Sequence, residues 1–131
     1  MSGAVSFSMK PNWQRELTTA LLPRFRELGA RMADGARADC PVDKSPDRLP
    51  GKHLINTIYF EVRNDGTIIL GASAPYALYV ECGTAPHPID SHGPWPLRSR
   101  SGQVFGQHVN HPGTRAQPFL RPQLFRRWSM R

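Results

Sequence analysis

The order of apolar and polar residues predicts a long amphipathic helix in the first third of the chain. Six apolar residues recur at spacings of three and four, as on one helical face: Trp13, Leu17, Leu21, Phe25, Leu28 and Met32. Asn12 is placed to cap this helix. Pro23 lies inside it, which predicts a kink or two abutting helices. Pro41 ends the helix by Asp39 or Cys40, because proline pushes its predecessor out of helical space.

The period changes to two after residue 57, which predicts a half-buried strand. Ile58, Phe60 and Val62 alternate with more polar neighbours over residues 58–63. Asn64-Asp65-Gly66 follows, and Asp-Gly is typical of a tight hairpin turn. Residues 67–71 are then the partner strand, and residues 53–56 are predicted to form one helical turn before the hairpin.

The densest apolar run, residues 74–84, predicts a short second helix. Tyr76, Tyr79 and Val80 share one helical face. Pro75 suits a first helical turn, and Gly83 suits the position just past the end. A buried edge strand is the alternative, since tyrosine and valine also favour strands.

The remaining segments show little periodicity. Residues 1–11 are predicted to be a flexible arm, and the proline-containing residues 85–103 an extended loop. A last strand is predicted over residues 103–110, and a C-terminal helix over 118–131 that opens at Pro118. The chain is thus expected to be a single α+β domain (1–131), in which a long N-terminal helix packs on a small antiparallel sheet, with a short second helix, a C-terminal helix and long proline-rich loops.

Charge is distributed unevenly along this 131-residue chain, whose net charge is +7. Lysine and arginine balance aspartate and glutamate as far as Asp90. Beyond it the only charged residues are arginines: Arg98, Arg100, Arg115, Arg121, Arg126, Arg127 and Arg131. Arginine binds phosphate and carboxylate in a planar fork, so this part is expected to face nucleic acid or an acidic protein, unless it is simply a solvated basic surface.

Glu81 is the lone acid of the apolar run 74–84. It is expected either to pair with an arginine of the C-terminal part, within or between subunits, or to point to solvent. Phe119 is the only large anchor of the segment 117–122, so its truncation is expected to detach the C-terminal helix.

Candidate chemistry is sparse. The histidines His87, His92, His108 and His111, together with Cys82, are the only set that suggests a metal, and their spacing does not match zinc-ligand pairs. A histidine-metal nuclease would need a carboxylate or a second histidine beside His111. Cys82 is interpreted as a core thiol. No catalytic, cofactor-binding or metal-binding residue is therefore predicted, and no apolar run is long enough to span a membrane.

Several motifs carry a resemblance to a known family. They are Cys40-Pro41-Val42-Asp43, Leu54-Ile55-Asn56-Thr57-Ile58, Tyr76-Ala77-Leu78-Tyr79-Val80-Glu81-Cys82-Gly83-Thr84, His111-Pro112-Gly113-Thr114 and Gln117-Pro118-Phe119-Leu120-Arg121-Pro122. In this order they resemble the tail-component family of tailed bacteriophages, the small neck (head–tail joining) and tail-completion proteins, over residues 31–125. The family's Thr-Gly-x-Leu after Pro-Val-Asp is replaced here by a longer segment, 44–53, and its closing alanine by Gln123.

The resemblance implies a structural virion protein without enzymatic activity. Such a protein is made in the bacterial host cytoplasm and forms an oligomeric ring at the head–tail junction, as neck, tail-completion or tail-terminator protein. Its expected partners are copies of itself, in a ring of roughly six or twelve subunits, neighbouring neck and tail-tube proteins, and DNA in the channel. The predicted interface residues are Tyr76, Tyr79, Glu81, Phe119, Arg121, Arg126, Arg127 and Trp128. The alternative is a nucleic-acid-binding protein or a histidine-metal nuclease that uses the basic C-terminal part.

Overall fold

The computed structural model describes residues 3, 6, 8–42 and 53–129. Its longest element is helix α1, Trp13–Asp39, as the apolar spacing predicted. Pro23 lies inside one continuous helix, so the alternative of two abutting helices is wrong. Asn12 occupies the N-cap position, but its side chain makes no capping hydrogen bond. Its carbonyl instead accepts from the Glu16 amide at 3.0 Å.

Only the second half of α1 is buried. Gly29, Met32, Ala33 and Ala36 face the interior, whereas Leu17 is 52% exposed. Small residues dominate the buried face because the sheet approaches closely: a Cβ on Gly29 would lie 2.6 Å from the ring of Phe60. Apolar spacing identified the helix, but tertiary packing decides which part of the stripe is covered.

The first sheet is the predicted hairpin. A short 3-10 helix, Leu54–Thr57, leads into strand β1, Ile58–Val62. Strand β1 pairs antiparallel with β2, Ile68–Ala72. In the turn between them, the Thr67 amide donates to Asp65 Oδ1 at 2.9 Å. Hydrogen bonds from the backbone and the side chain of Thr67 lower the pKa of Asp65. Gly66 takes a positive φ of 86°, which glycine adopts at little cost.

Helix α2, Ala77–Cys82, confirms the helical interpretation of the apolar run over the strand alternative. Beyond it come four short strands: β3 (His87–Asp90), β4 (Leu97–Arg98), β5 (Val104–Gly106) and β6 (His108–His111). Strand β3 pairs antiparallel with β6, and β4 with β5. Residues 87–111 therefore form one long, irregular two-stranded ribbon, which we call the β-arm.

The β-arm corrects two predictions. The extended loop expected over 85–103 contains β3 and β4, and the single strand expected over 103–110 is divided into β5 and β6. Both errors have one cause: these strands are two to four residues long and their partners are distant in sequence. Local periodicity carries no signal for pairing of that kind.

The C-terminal helix is much shorter than predicted. Helix α3 comprises only Arg121–Phe125, and the chain leaves it at Arg126 with extended backbone angles. Leu124, an apolar residue within the predicted helix, is 70% exposed. Residues 1, 2, 4, 5 and 7 of the predicted arm, residues 43–52, and the last two residues of the predicted helix lie outside the described residues.

The core is small and lies where α1, the 3-10 helix, β1 and α2 meet. Its buried residues are Ala33, Ala36, Cys40, Leu54, Ile58, Ala74, Ala77 and Phe119. This arrangement confirms the predicted α+β fold class. No helix within the described residues is long and apolar enough to cross a membrane.

Candidate interaction site: a carboxylate clamp and an anchored β-arm

Glu81 forms the centre of the site. It lies on α2 with 7% of its surface exposed. Its Oε2 accepts hydrogen bonds from the amides of Phe119 (2.8 Å) and Leu120 (3.0 Å). Its Oε1 accepts from the amide of Arg121 at 2.9 Å and from the Arg121 guanidinium at 3.3 Å. We call this arrangement the carboxylate clamp.

The clamp satisfies donors that the start of α3 leaves without partners. The first amides of any helix have no intrahelical acceptor, and here one carboxylate from another element accepts from the amides of the N-cap residue Leu120 and of Arg121, and also from the Phe119 amide just before them. Burial alone would raise the pKa of Glu81, but the hydrogen bonds from residues 119–121 outweigh it and hold the pKa below its ordinary value. Glu81 is therefore charged and inside the subunit, so the solvent-facing alternative is wrong.

A second contact, between two glycine–threonine steps, closes the base of the β-arm. Thr84 and Thr114 exchange backbone hydrogen bonds of 3.0 and 3.1 Å, and their hydroxyls lie 2.9 Å apart. The glycine before each threonine permits this approach: a Cβ on Gly83 would lie 2.5 Å from the Thr114 carbonyl oxygen. We call this contact the Gly-Thr bridge.

The bridge explains why two separate motifs of the sequence end in Gly-Thr. Gly83 and Gly113 both have positive φ, 71° and 84°. Gly83 also has ψ of 179°, a combination that is essentially restricted to glycine. Since the bridge joins residues thirty apart, the β-arm between them is held at its base by backbone contacts.

An apolar groove of about 550 Å³ lies beside the clamp. Tyr76, Tyr79 and Val80 line it from α2, and Leu54 and Ile55 line it from the 3-10 helix. Arg115 and Gln117 complete one edge. The Gln117 amide donates to the Val80 carbonyl at 2.8 Å. The two predicted interface tyrosines thus share one groove, and Tyr79 is 59% exposed.

The other predicted interface residues are divided between the interior and the surface. Phe119 is fully buried. Arg126 pairs with Asp39 at 3.0 Å, so it is tied to the end of α1 and does not project freely outward as predicted. The guanidinium groups of Arg31 and Arg126 lie over the Trp128 ring, at 5.6 and 5.7 Å from its centroid. Arg127 is exposed.

Sequence reasoning missed the polar contacts that support α3. Gln123 is fully buried, and its Nε2 donates to Asp39 at 2.7 Å. The Trp128 indole donates to the Gln123 carbonyl at 2.8 Å. In the sequence, Gln123 was noted only because it replaces the closing alanine of the family motif. That replacement is the one signal in the sequence that pointed to it.

The histidines of the β-arm form two cross-strand pairs. His87 lies opposite His111, with ring centroids 5.1 Å apart, so the second histidine that a metal nuclease would need beside His111 is present. His108 contacts Asp90 across the same ribbon. Within the described residues, no group of three or more histidine, cysteine or carboxylate side chains could hold a metal ion.

Hydrogen bonding also assigns the tautomer of His111. The Gly113 amide donates to His111 Nδ1 at 3.0 Å, so a neutral His111 carries its proton on Nε2. A metal bound at His111 Nε2 would move that proton to Nδ1, against the Gly113 amide. His111 is therefore better suited to packing than to ligation. Cys82, which was predicted to be a core thiol, is exposed, whereas Cys40 is buried and burial raises its pKa.

No protein-family model matches the chain, and comparisons with curated proteins and with solved structures likewise found no match.

Proposed function

We propose that the protein is a structural subunit of a tailed-phage virion, which assembles with copies of itself into a closed ring at the head–tail junction. In this role it acts as a neck, tail-completion or tail-terminator protein and contacts the neighbouring neck and tail-tube proteins. The motifs that resemble the tail-component family support the proposal from the sequence. In the fold, those motifs build the carboxylate clamp and the Gly-Thr bridge, which hold a projecting arm in place.

Exposed apolar side chains carry the proposal. Large apolar residues lie exposed in adjacent pairs on several elements, among them Leu78 and Tyr79 on α2, Val104 and Phe105 on the β-arm, and Leu124 and Phe125 on α3. Single exposed apolar residues are ordinary, whereas extensive exposed apolar surface marks an interaction site. A core with few large side chains leaves these pairs without a partner inside the subunit.

Placement on several elements favours a ring. A subunit that contacts a neighbour through two different surfaces forms a head-to-tail interface, which closes into a ring or extends into a filament. A stable interface buries roughly 1,600 Å² in total. The apolar pairs of α2, α3 and the β-arm supply surface for two such contacts, and the anchored arm extends the reach of each subunit.

Oligomeric mass measured by light scattering over a range of protein concentrations tests the proposal. We expect a discrete oligomer, formed by the protein alone or with its neck and tail-tube neighbours, and a closed ring in negative-stain micrographs. Leu78→Asp should dissociate the oligomer without lowering the stability of the subunit, because Leu78 is exposed within it. Asn56→Asp adds the same charge at an exposed polar position and should leave assembly intact. A wild-type monomer under all these conditions would contradict the proposal.

A further inference from the structure

The structure separates the arginines of the C-terminal part into two groups. Arg121 pairs with Glu81, and Arg126 with Asp39, so the charge of each is balanced inside the subunit. Arg98, Arg115 and Arg127 have no carboxylate partner among the residues that the structure describes. The positive surface that remains available for a partner thus lies partly on the β-arm, far along the chain from α3.

The end of the β-arm has a distinctive composition. Residues 98–103, which we call the arm tip, read Arg-Ser-Arg-Ser-Gly-Gln. Every side chain in the arm tip is either a cation or a neutral hydrogen-bonding group, except for that of glycine. Both arginines are exposed. The only acid of the whole β-arm, Asp90, lies at its base and contacts His108.

Hydrogen bonds hold the arm tip in a defined turn. The Ser99 amide donates to the Gln103 carbonyl at 2.8 Å, and the Gly102 amide donates to the Ser99 carbonyl at 3.0 Å. The Ser99 hydroxyl accepts from the Gln103 amide at 3.0 Å. Gly102 has φ of 87°, as the turn requires. The Gly-Thr bridge fixes the other end of the arm, so little chain entropy remains to be lost when a ligand binds the tip.

This chemistry fits a polyanion better than a protein surface. Protein interfaces are centred on aromatic or aliphatic anchors, and the arm tip contains none. Phosphate oxygens are contacted instead by arginine, serine and glutamine side chains and by backbone amides. A two-stranded β-ribbon is also narrow enough to enter the major groove of B-form DNA.

We propose that the arm tip binds the phosphate backbone of duplex DNA without sequence preference, through Arg98 and Arg100. The inference deepens the proposed function, since DNA is the molecule expected to occupy the channel of a head–tail ring. It assigns the contact with DNA to Arg98 and Arg100, two of the seven arginines beyond Asp90 that the sequence suggested for it.

Fluorescence anisotropy of a short labelled duplex, titrated with the full-length protein at several salt concentrations, tests the assignment. Binding should weaken steeply between about 50 and 200 mM salt, because phosphate contacts release counterions. The double variant Arg98→Gln/Arg100→Gln should lose about tenfold or more in affinity, and its salt slope should fall by about two. Arg98→Lys/Arg100→Lys should retain most of the affinity, since both charges remain.

Two matched variants remove the same charge elsewhere. Arg24→Gln/Arg26→Gln acts on exposed positions of α1, and Arg115→Gln/Arg127→Gln acts on exposed arginines outside the arm tip. Both should bind DNA nearly as the wild type does. Equal losses in all three double variants, or competition by polyglutamate as effective as that by duplex, would overturn the proposal. Since the assay measures binding by the protein in whatever oligomeric state it adopts, light scattering on the same samples separates loss of DNA binding from loss of the ring.

Discussion

Glu81 shows how one charged residue can organise a segment that is distant in sequence. Its carboxylate bonds three consecutive amides and a guanidinium that lie 38–40 residues further along the chain. A buried charge is costly unless it is paired and hydrogen-bonded, and here both oxygens are used. The lone acid of the apolar run is thus a structural residue, and it contributes to any interface only through the segment that it holds.

Glu81→Gln is expected to lower the free energy of unfolding by about 3 kcal/mol, because an amide nitrogen would replace an acceptor that faces backbone N–H groups. Glu61→Gln is the matched control: the Glu61 side chain is 60% exposed, so its replacement should cost less than about 0.5 kcal/mol. Urea unfolding near neutral pH measures both. Equal effects of the two substitutions would show that the carboxylate clamp contributes nothing specific.

The contribution of Glu81 to stability is also expected to depend on pH. In the unfolded chain Glu81 titrates near its ordinary pKa of 4.5, and in the folded chain its pKa is lower. Between these values the unfolded state binds more protons, so stability falls as the pH falls. The difference in stability between wild type and Glu81→Gln should therefore be full above pH 4.5 and narrow as the pH drops through the folded pKa. A difference that stays constant into the acid range would contradict a charged clamp.

At the scale of elements, the Gly-Thr bridge determines where the β-arm begins and ends. Gly83→Ala should lower the free energy of unfolding by at least about 3 kcal/mol. Alanine would have to adopt a backbone conformation that is essentially restricted to glycine, and its Cβ would clash with the Thr114 carbonyl oxygen. Gly102→Ala offers the comparison: it also has positive φ, but no atom lies within 4 Å of its added Cβ. It should cost only about 1 kcal/mol. Thermal unfolding checks both, and similar losses would mean that the close contact at the bridge is unimportant.

The C-terminal segment provides two phenylalanines in opposite environments. Phe119 is fully buried, whereas Phe125 is 83% exposed. Phe119→Ala should lower the free energy of unfolding by about 3–5 kcal/mol and release the C-terminal segment from α2. Assembly should then fail because the subunit is no longer correctly folded.

Phe125→Ala should leave the subunit as stable as wild type but weaken its self-association. Unfolding curves together with light scattering distinguish the two effects. If Phe125→Ala assembles as the wild type does, α3 is not part of the interface.

Across the whole molecule, charge and apolar surface serve different contacts. Two of the C-terminal arginines are neutralised by Glu81 and Asp39, while both arginines of the arm tip are exposed. The exposed apolar pairs named above lie on α2, on α3 and on β5, directly after the arm tip. In the proposed ring, apolar pairs mediate contacts between proteins and the arm tip reaches DNA.

The sequence by itself determined the elements whose signal is local. The α1 stripe, the Asp-Gly hairpin and the α2 face depend on residues within a few positions of one another, so their periodicity predicted them almost at the correct bounds. The α+β class followed from the same elements. Phe119 was also recognised as an anchor, because it is the only aromatic residue of the segment 117–122.

Only the tertiary structure decided which distant residues meet. Glu81 and Arg121, or Asp39 and Arg126, could each have found other partners, because charge alone does not select among them. The β-arm strands are too short to show a period, and they exist through pairing across up to 24 residues. Contacts with other parts of the chain likewise determine the length of α3. The clamp holds residues 119–121, and Gln123 is hydrogen-bonded to Asp39 and Trp128. Contacts of this kind depend on the folded positions of α1 and α2, which no local pattern encodes.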